Sequence, residues 1–210
     1  MYTLSDAARL TGLSRSRVRE WFRHRRARKG PPLFSSDYEP EKNSLAISFW
    51  DLIDVFVAGQ LREHGVSLPT VRKVYARLTT DLGTSHPFCR KELLTDGKAV
   101  FVRGLDRHGE EEIYEALTRQ KAFPKLILPF LQRIDYDRAM AARWRIADGV
   151  VVDPALSFGQ PVVAGASIPT YLLAAAYDAN GRDADVVAGW YGVTAEEVEA
   201  AVRFEAELAA

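Results

Sequence analysis

The sequence predicts a mainly α protein with small β-hairpins: an N-terminal winged helix-turn-helix, an α+β middle segment and a C-terminal three-helix unit of helix-turn-helix type. Three observations carry this. Apolar residues recur at helical spacing behind recognisable caps. Short extended runs are bracketed by Gly, Pro, Asp and Asn. The charge is divided: the first thirty residues hold nine Lys/Arg against two Asp/Glu, and the last sixty hold two against nine, although the 210-residue chain is formally neutral. Such asymmetry points to one end facing nucleic acid and the other facing something else.

The first helix is predicted to start near Leu4, with Thr3 as N-cap and Asp6 at capping-box spacing. Gly12 supplies the positive φ of a tight turn, and Ser14 caps a second helix. Val18, Trp21 and Phe22 share the buried stripe of that helix; Arg15, Ser16, Arg19 and Arg23 fall on the other side, with Arg17 near its edge. A second helix of this type enters the DNA major groove by its first turn, and donor-rich side chains there suit guanine and phosphate oxygens. Arg25 and Arg26 continue the charge. Residues 33–47 read as a wing hairpin with its tip near Lys42-Asn43. Ser48 to Asp51 is another capping box, opening a helix that carries Leu52, Ile53, Val55, Phe56 and Leu61; Ser67-Leu68-Pro69 opens the next, with Val71, Val74, Tyr75 and Leu78 on one face.

These residues resemble a MerR-type winged-helix DNA-binding domain over about the first third of the chain. The phrases are Tyr2-Thr3-Leu4, Leu10-Thr11-Gly12-Leu13-Ser14, Val18-Arg19-Glu20-Trp21 and His64-Gly65-Val66-Ser67-Leu68. The resemblance implies that Arg19 binds backbone phosphate and that Trp21 is core. Where that family continues into a long dimerising helix, Gly83-Thr84-Ser85-His86-Pro87 breaks the chain, so dimerisation and effector sensing of the MerR kind are not implied.

In the middle, Asp96-Gly97 marks a hairpin, Glu110 to Gln120 reads as a helix, and Pro129 argues against a central strand over Leu126 to Leu131. Trp144 to Val152 is a second hairpin candidate. Asp135 and Asp137 are a carboxylate pair of a kind that can hold a metal or do acid–base work, which keeps a metal-dependent enzyme as a third reading; such pairs more often cap a helix, here one starting near Arg138. His86 and Cys89 have a spacing a metal can use, but no second ligand pair follows, so no metal or other cofactor is expected. Gly-Lys-Ser/Thr, His-Glu-x-x-His and Gly-x-Ser-x-Gly are absent, and no enzyme is expected. A single cysteine and the lack of an apolar run near the ~18 residues of a membrane span predict a cytoplasmic protein without membrane contact.

The last unit is predicted to hold a helix from Thr170 stopped at Asn180-Gly181, a short helix from Asp183 to Trp190, a turn at Gly192, and a third helix opened by the box Thr194 to Glu197. Its acidity repels phosphate, which favours a protein partner. Asp153-Pro154, Phe158-Gly159-Gln160-Pro161, Gly165, Ile168-Pro169 and Thr194-Ala195-Glu196-Glu197-Val198 resemble a small uncharacterised bacterial domain found in antitoxins of VapB type. That resemblance implies a neighbouring PIN-like ribonuclease toxin as partner.

The domains expected are 1–82, DNA-binding; 83–149, connector and dimerisation; and 150–210, antitoxin-associated. The function expected is a type II antitoxin, at least a homodimer, that represses its own operator and neutralises the ribonuclease. A stand-alone MerR-like regulator sensing a small ligand is the alternative. Operator DNA is assigned to Arg15, Ser16, Arg17, Arg19, Arg23, Arg25, Arg26 and Lys42, and the toxin to Glu196, Glu197, Glu199 and Arg203.

Overall fold

The computed structural model describes residues 1–23, 32–39, 45–93 and 128–209. The expected sites Arg25, Arg26 and Lys42, the Asp96-Gly97 hairpin and the helix from Glu110 lie outside the described residues. The architecture is mostly helical with small antiparallel sheets. It divides into two compact units, one of Tyr2–Gln132 and Tyr136–Ala141, the other of Met1, Arg133–Asp135 and Ala142–Ala210.

The N-terminal unit opens with β1 (Tyr2–Thr3), then α1 (Leu4–Thr11) and α2 (Arg15–Phe22). The box expected at Thr3 is formed: Asp6 N–H donates to Thr3 Oγ1 at 3.1 Å and Thr3 N–H to Asp6 Oδ2 at 2.9 Å. Gly12 turns the chain at φ 69, a conformation that favours glycine. Leu13 N–H then returns to Ala8 O at 3.1 Å, and Ser14 caps α2. β2 (Ala46–Ile47) pairs with β1, Tyr2 opposite Ile47. The strand leaving the expected wing is therefore seen bonded to the N-terminal strand. α3 (Phe49–Glu63) and α4 (Leu68–Leu82) follow, each behind a serine cap, and Pro87–Cys89 forms a 3-10 turn. α3 is apolar almost all round and is the centre of this unit, with Leu52, Ile53, Val55 and Ala58 fully buried. It packs on α1 so closely that Gly59 lies against Leu13.

β3 (Ile134–Asp137) and β4 (Met140–Ala147) contribute residues to both units. The sheet continues with β5 (Val150–Val152) and β6 (Pro161–Val163) in the order β3-β4-β5-β6. The expected Trp144 to Val152 hairpin is present, turning at Gly149 with φ 76. The expected helix near Arg138 is absent. Arg138 sits at φ 55 in the turn between β3 and β4, and Asp135 and Asp137 are strand residues. Ile134-Asp135-Tyr136-Asp137 alternates with the two-residue period of a strand, and that pattern, not the capping potential of aspartate, decides the local structure.

The C-terminal unit ends in α5 (Thr170–Ala179), α6 (Ala184–Tyr191) and α7 (Ala195–Ala209). Its core gathers Val163, Leu173, Val187, Val198 and Ala201. The turn from α6 to α7 repeats the turn from α1 to α2 in detail. Gly192 stands at φ 67, Val193 N–H returns to Ala188 O at 3.1 Å, and Thr194 Oγ1 accepts from Glu197 N–H at 3.2 Å.

Candidate functional site

α2 presents one buried and one charged side. Val18 and Trp21 are buried, whereas Arg15, Ser16, Arg17, Arg19 and Arg23 are all exposed. Phe22, expected in the buried stripe, is only half-buried. Arg15 donates to Ser5 Oγ of α1, which ties the first turn of α2 to its neighbour. The helix is seated from beneath by aromatics. Trp21 meets Phe34 at 5.9 Å between ring centroids, Phe34 meets Tyr75 at 4.9 Å, and Tyr75 meets Phe88 at 5.3 Å, all edge to face. Leu33 and Phe34 also donate their backbone N–H groups to Trp21 O, at 2.8 and 3.0 Å. The arginines therefore project from a braced rod.

That aromatic column ends on a buried polar cluster which sequence reasoning missed. Tyr75 O–H donates to Asp54 Oδ2 at 2.8 Å. The same oxygen accepts from His86 Nδ1 at 2.8 Å, and His86 Nε2 reaches Asp37 Oδ1 at 2.8 Å. Phe88 N–H donates to Asp54 Oδ1 at 3.2 Å. His86 and Asp54 are both buried, and Asp37 is exposed. Burial lowers the His86 pKa, but the hydrogen bonds and charges of Asp54 and Asp37 outweigh it and push it up to about 9. Burial raises Asp54 to about 6 against the pull of His86 and Tyr75. Burial also works to raise Asp37, yet hydrogen bonds from Ser48 and His86 hold its carboxyl below the usual value. At neutral pH the cluster is an imidazolium held between two carboxylates. It fastens the segment containing Phe34 and Asp37 to α3 and to the loop after α4.

Asp37, Asp51 and His86 each offer a donor atom, all within 4.8 Å of one another, and are the residues here that a cation would use. Two of those atoms, His86 Nε2 and Asp37 Oδ1, are already hydrogen-bonded to each other at 2.8 Å. The His86–Cys89 pair considered from spacing is not brought together as ligands. Cys89 is buried, with its Sγ 3.3 Å from Trp50 O, and burial pushes its pKa up. The one local signal for this cluster, not used in the sequence reading, is Asp54, a carboxylate inside the apolar run Leu52-Ile53-Asp54-Val55-Phe56.

The four acidic-end residues have different surroundings. Glu197 caps α7 through Thr194 N–H at 2.9 Å and lies against Gly165, where any side chain would collide with its carboxylate. Glu196 and Glu199 are exposed, and Glu199 pairs with Arg203 at 3.6 Å. Arg203 also lines a cleft of about 270 Å³ with Arg133, Asp148 and Glu207. Aligned on the two turns, Ser16, Arg17 and Arg19 of α2 correspond to Glu196, Glu197 and Glu199 of α7. The same backbone device carries opposite charge.

Residues 150–204 match the family model described as "Protein of unknown function (DUF433)". The match falls on the segment whose motif resembles a small uncharacterised domain. Over 96% of each chain, the structure is similar to the X-ray crystal structure of Rv2018 from Mycobacterium tuberculosis, with a TM-score of 0.78 and 25% identity. No curated protein matches the chain. Among the described residues no helix is long and apolar enough to cross a membrane.

Proposed function

We propose that this chain is a type II antitoxin whose first 82 residues form a MerR-like winged-helix domain that binds operator DNA and represses its own transcription. The observation that carries this is the exposed row Arg15, Ser16, Arg17, Arg19 and Arg23 on a helix fixed from behind by Val18 and Trp21. A polyanion is the natural partner of such a row, because each neutralised phosphate releases condensed counterions. Arg15 and Ser16, in the first turn of α2, are placed to read base edges, and Arg19 to hold phosphate. The segment over 83–149 serves as connector and dimerisation region, and 150–210 contacts a PIN-like ribonuclease through Glu196, Glu199 and Arg203. Glu197 has a capping role that limits its part in such a contact. An antitoxin acts by covering an active site, so it needs no catalytic groups or cofactor of its own. The cytoplasm is the compartment this function requires.

The test is binding of the full chain to the DNA upstream of its own coding sequence, followed by fluorescence anisotropy. Affinity should fall steeply between about 50 and about 200 mM salt. Arg15→Ala should relax sequence preference, and Arg19→Ala should weaken all sequences alike. Absence of binding at the lower salt would refute the reading. Binding of DNA by a lone homodimer whose affinity responds to small metabolites would favour the stand-alone regulator instead.

A further inference from the structure

The C-terminal unit has a helix face with no partner among the described residues. On α1, Leu10 and Thr11 are 7% and 6% exposed, in the helix on which α3 packs. Their counterparts on α6, in the same position before the matching turn, are Trp190 and Tyr191, and Trp190 is 63% exposed. Val186 lies one turn before Trp190 and is exposed as well. Tyr171 and Leu172 at the start of α5 add to the exposed apolar surface of this unit. An aromatic left open at a position that is covered in the other copy of the same turn marks a docking face.

Charge selects the occupant. The acids of this unit include Asp183 and Asp185 at the start of α6 and Glu196 and Glu199 on α7, all exposed. The two bases among residues 151–210 are already engaged, Arg182 with Asp178 at 3.2 Å and Arg203 with Glu199 at 3.6 Å. Indole faces and carboxylates together make a receptor for guanidinium, by stacking and by charge-assisted hydrogen bonds. Two such faces set against each other would repel, which excludes a symmetric pairing of α6 with α6. The chain carries its own complement: an excess of seven positive charges in its first thirty residues against an excess of seven negative charges in its last sixty.

We propose that the aromatic and acidic face of α6 and α7 in one copy docks on the arginine face of α2 in a second copy, so that self-association and DNA compete for Arg15 and Arg19. This rests on the reading of α2 as a polyanion-binding surface. It assigns the C-terminal unit a regulatory role as a protein surrogate for DNA.

Sedimentation velocity on the full chain tests it. At about 50 mM salt the protein should sediment as an associated species, and it should dissociate as salt is raised to about 200 mM, as a contact built on exposed charge requires. Two variants break opposite sides: Arg15→Glu with Arg19→Glu, and Trp190→Ala with Glu196→Arg and Glu199→Arg. All five residues are exposed, so folding should be retained, which circular dichroism checks. Each variant alone should associate no further than the dimer formed through residues 83–149. Mixing Arg15→Glu/Arg19→Glu with an otherwise wild-type chain carrying only Trp190→Ala/Glu196→Arg/Glu199→Arg restores one intact contact and should yield a 1:1 complex. A short duplex of arbitrary sequence should dissociate the wild-type assembly. Wild type with no association beyond the 83–149 dimer at low salt, association beyond that dimer in either variant alone, or a mixture with none beyond it would each overturn the proposal. Association without binding of the duplex would sink the DNA reading and leave the docking contact standing. Binding of the duplex by a chain that never associates would sink the docking contact alone.

Discussion

Replacing His86 by glutamine is the most informative single perturbation of the N-terminal unit. His86 is 3% exposed, and its two ring nitrogens engage Asp54 and Asp37, whose side chains are 1% and 34% exposed. Without the imidazolium, Asp54 keeps Tyr75 O–H and Phe88 N–H as donors but loses its countercharge. Breaking a buried ion pair on one side costs about 3–5 kcal/mol, a large part of the roughly 5–15 kcal/mol that stabilises a domain. Because Tyr75 supports Phe34, and Phe34 supports Trp21, the loss should reach the seating of α2 as well.

The pH dependence follows from the same geometry. The folded state keeps the His86 proton up to about 9, whereas the unfolded chain releases it near 6.5. This stabilisation is complete below 6.5 and is lost as pH rises through about 9. At about 1.4 kcal/mol per pH unit, that interval amounts to roughly 3 kcal/mol. Asp54 is also raised, from 3.8 to about 6, so the folded state binds an extra proton there too and stability falls further as pH rises across that lower window. Asp37, with a lowered pKa, acts oppositely: its contribution is present above its ordinary value of 3.8 and is lost as pH falls below it. Amide exchange on peptides from α3 and α4, measured from pH 6.5 to pH 9 with correction for intrinsic exchange, isolates this unit from the other. Wild type should lose protection towards pH 9, and His86→Gln should start low and vary little. A flat wild-type profile over that range, or wild-type protection in the variant, would refute the assignment of a buried imidazolium.

Three further outcomes are expected. Arg15→Ala and Arg19→Ala should each weaken DNA binding by roughly 1–3 kcal/mol in anisotropy titrations, with thermal stability unchanged for Arg19→Ala and lowered only slightly for Arg15→Ala, which also loses its exposed hydrogen bond to Ser5. Ser14→Ala and Thr194→Ala each remove a helix cap and should each cost about 1 kcal/mol, read as faster exchange at the start of α2 and α7 respectively. Gly165→Ala brings a methyl group against the Glu197 carboxylate, the movable end of a half-buried side chain, so it should cost no more than about 1 kcal/mol in urea unfolding, the worth of the capping contact that must shift; in a Glu197→Ala background that cost should vanish, because the two sites share one contact.

What was legible in the sequence was what is local. The Thr3, Ser14, Ser48 and Thr194 caps, the glycine turns and the Asp148-Gly149 hairpin each depend on residues within four positions of one another, and each formed where expected. The arginine row of α2 was legible because the burial of Val18 and Trp21 fixes which side faces out. The polar cluster was not. His86 meets Asp54 across 32 positions and Asp37 across 49, and no local pattern brings three such segments together. Asp135 and Asp137 misled for a related reason. Aspartate is a good cap where a helix follows, but here the next segment is β4, which finds its hydrogen bonds in the neighbouring strands β3 and β5 instead.

The two matching turns show which level of the molecule carries specificity. The glycine, the following apolar residue and the hydroxyl cap fix the angle at which α2 and α7 leave the turn, and these are equivalent in both units. What differs is the outer side: Arg17 and Arg19 on one, Glu197 and Glu199 on the other. A shared backbone therefore says nothing by itself about the partner. Coulomb attraction at a surface does, since exposed arginines and exposed glutamates on equivalent helices favour opposite classes of ligand. The burial pattern sharpens this. On α1 the residues just before the turn, Leu10 and Thr11, are covered, whereas α6 keeps Trp190 open beside the acidic helix. The second pair thus offers apolar contact as well as charge, which suits association with protein, and the first offers charge and hydrogen-bond donors alone, which suits the phosphates and base edges of nucleic acid.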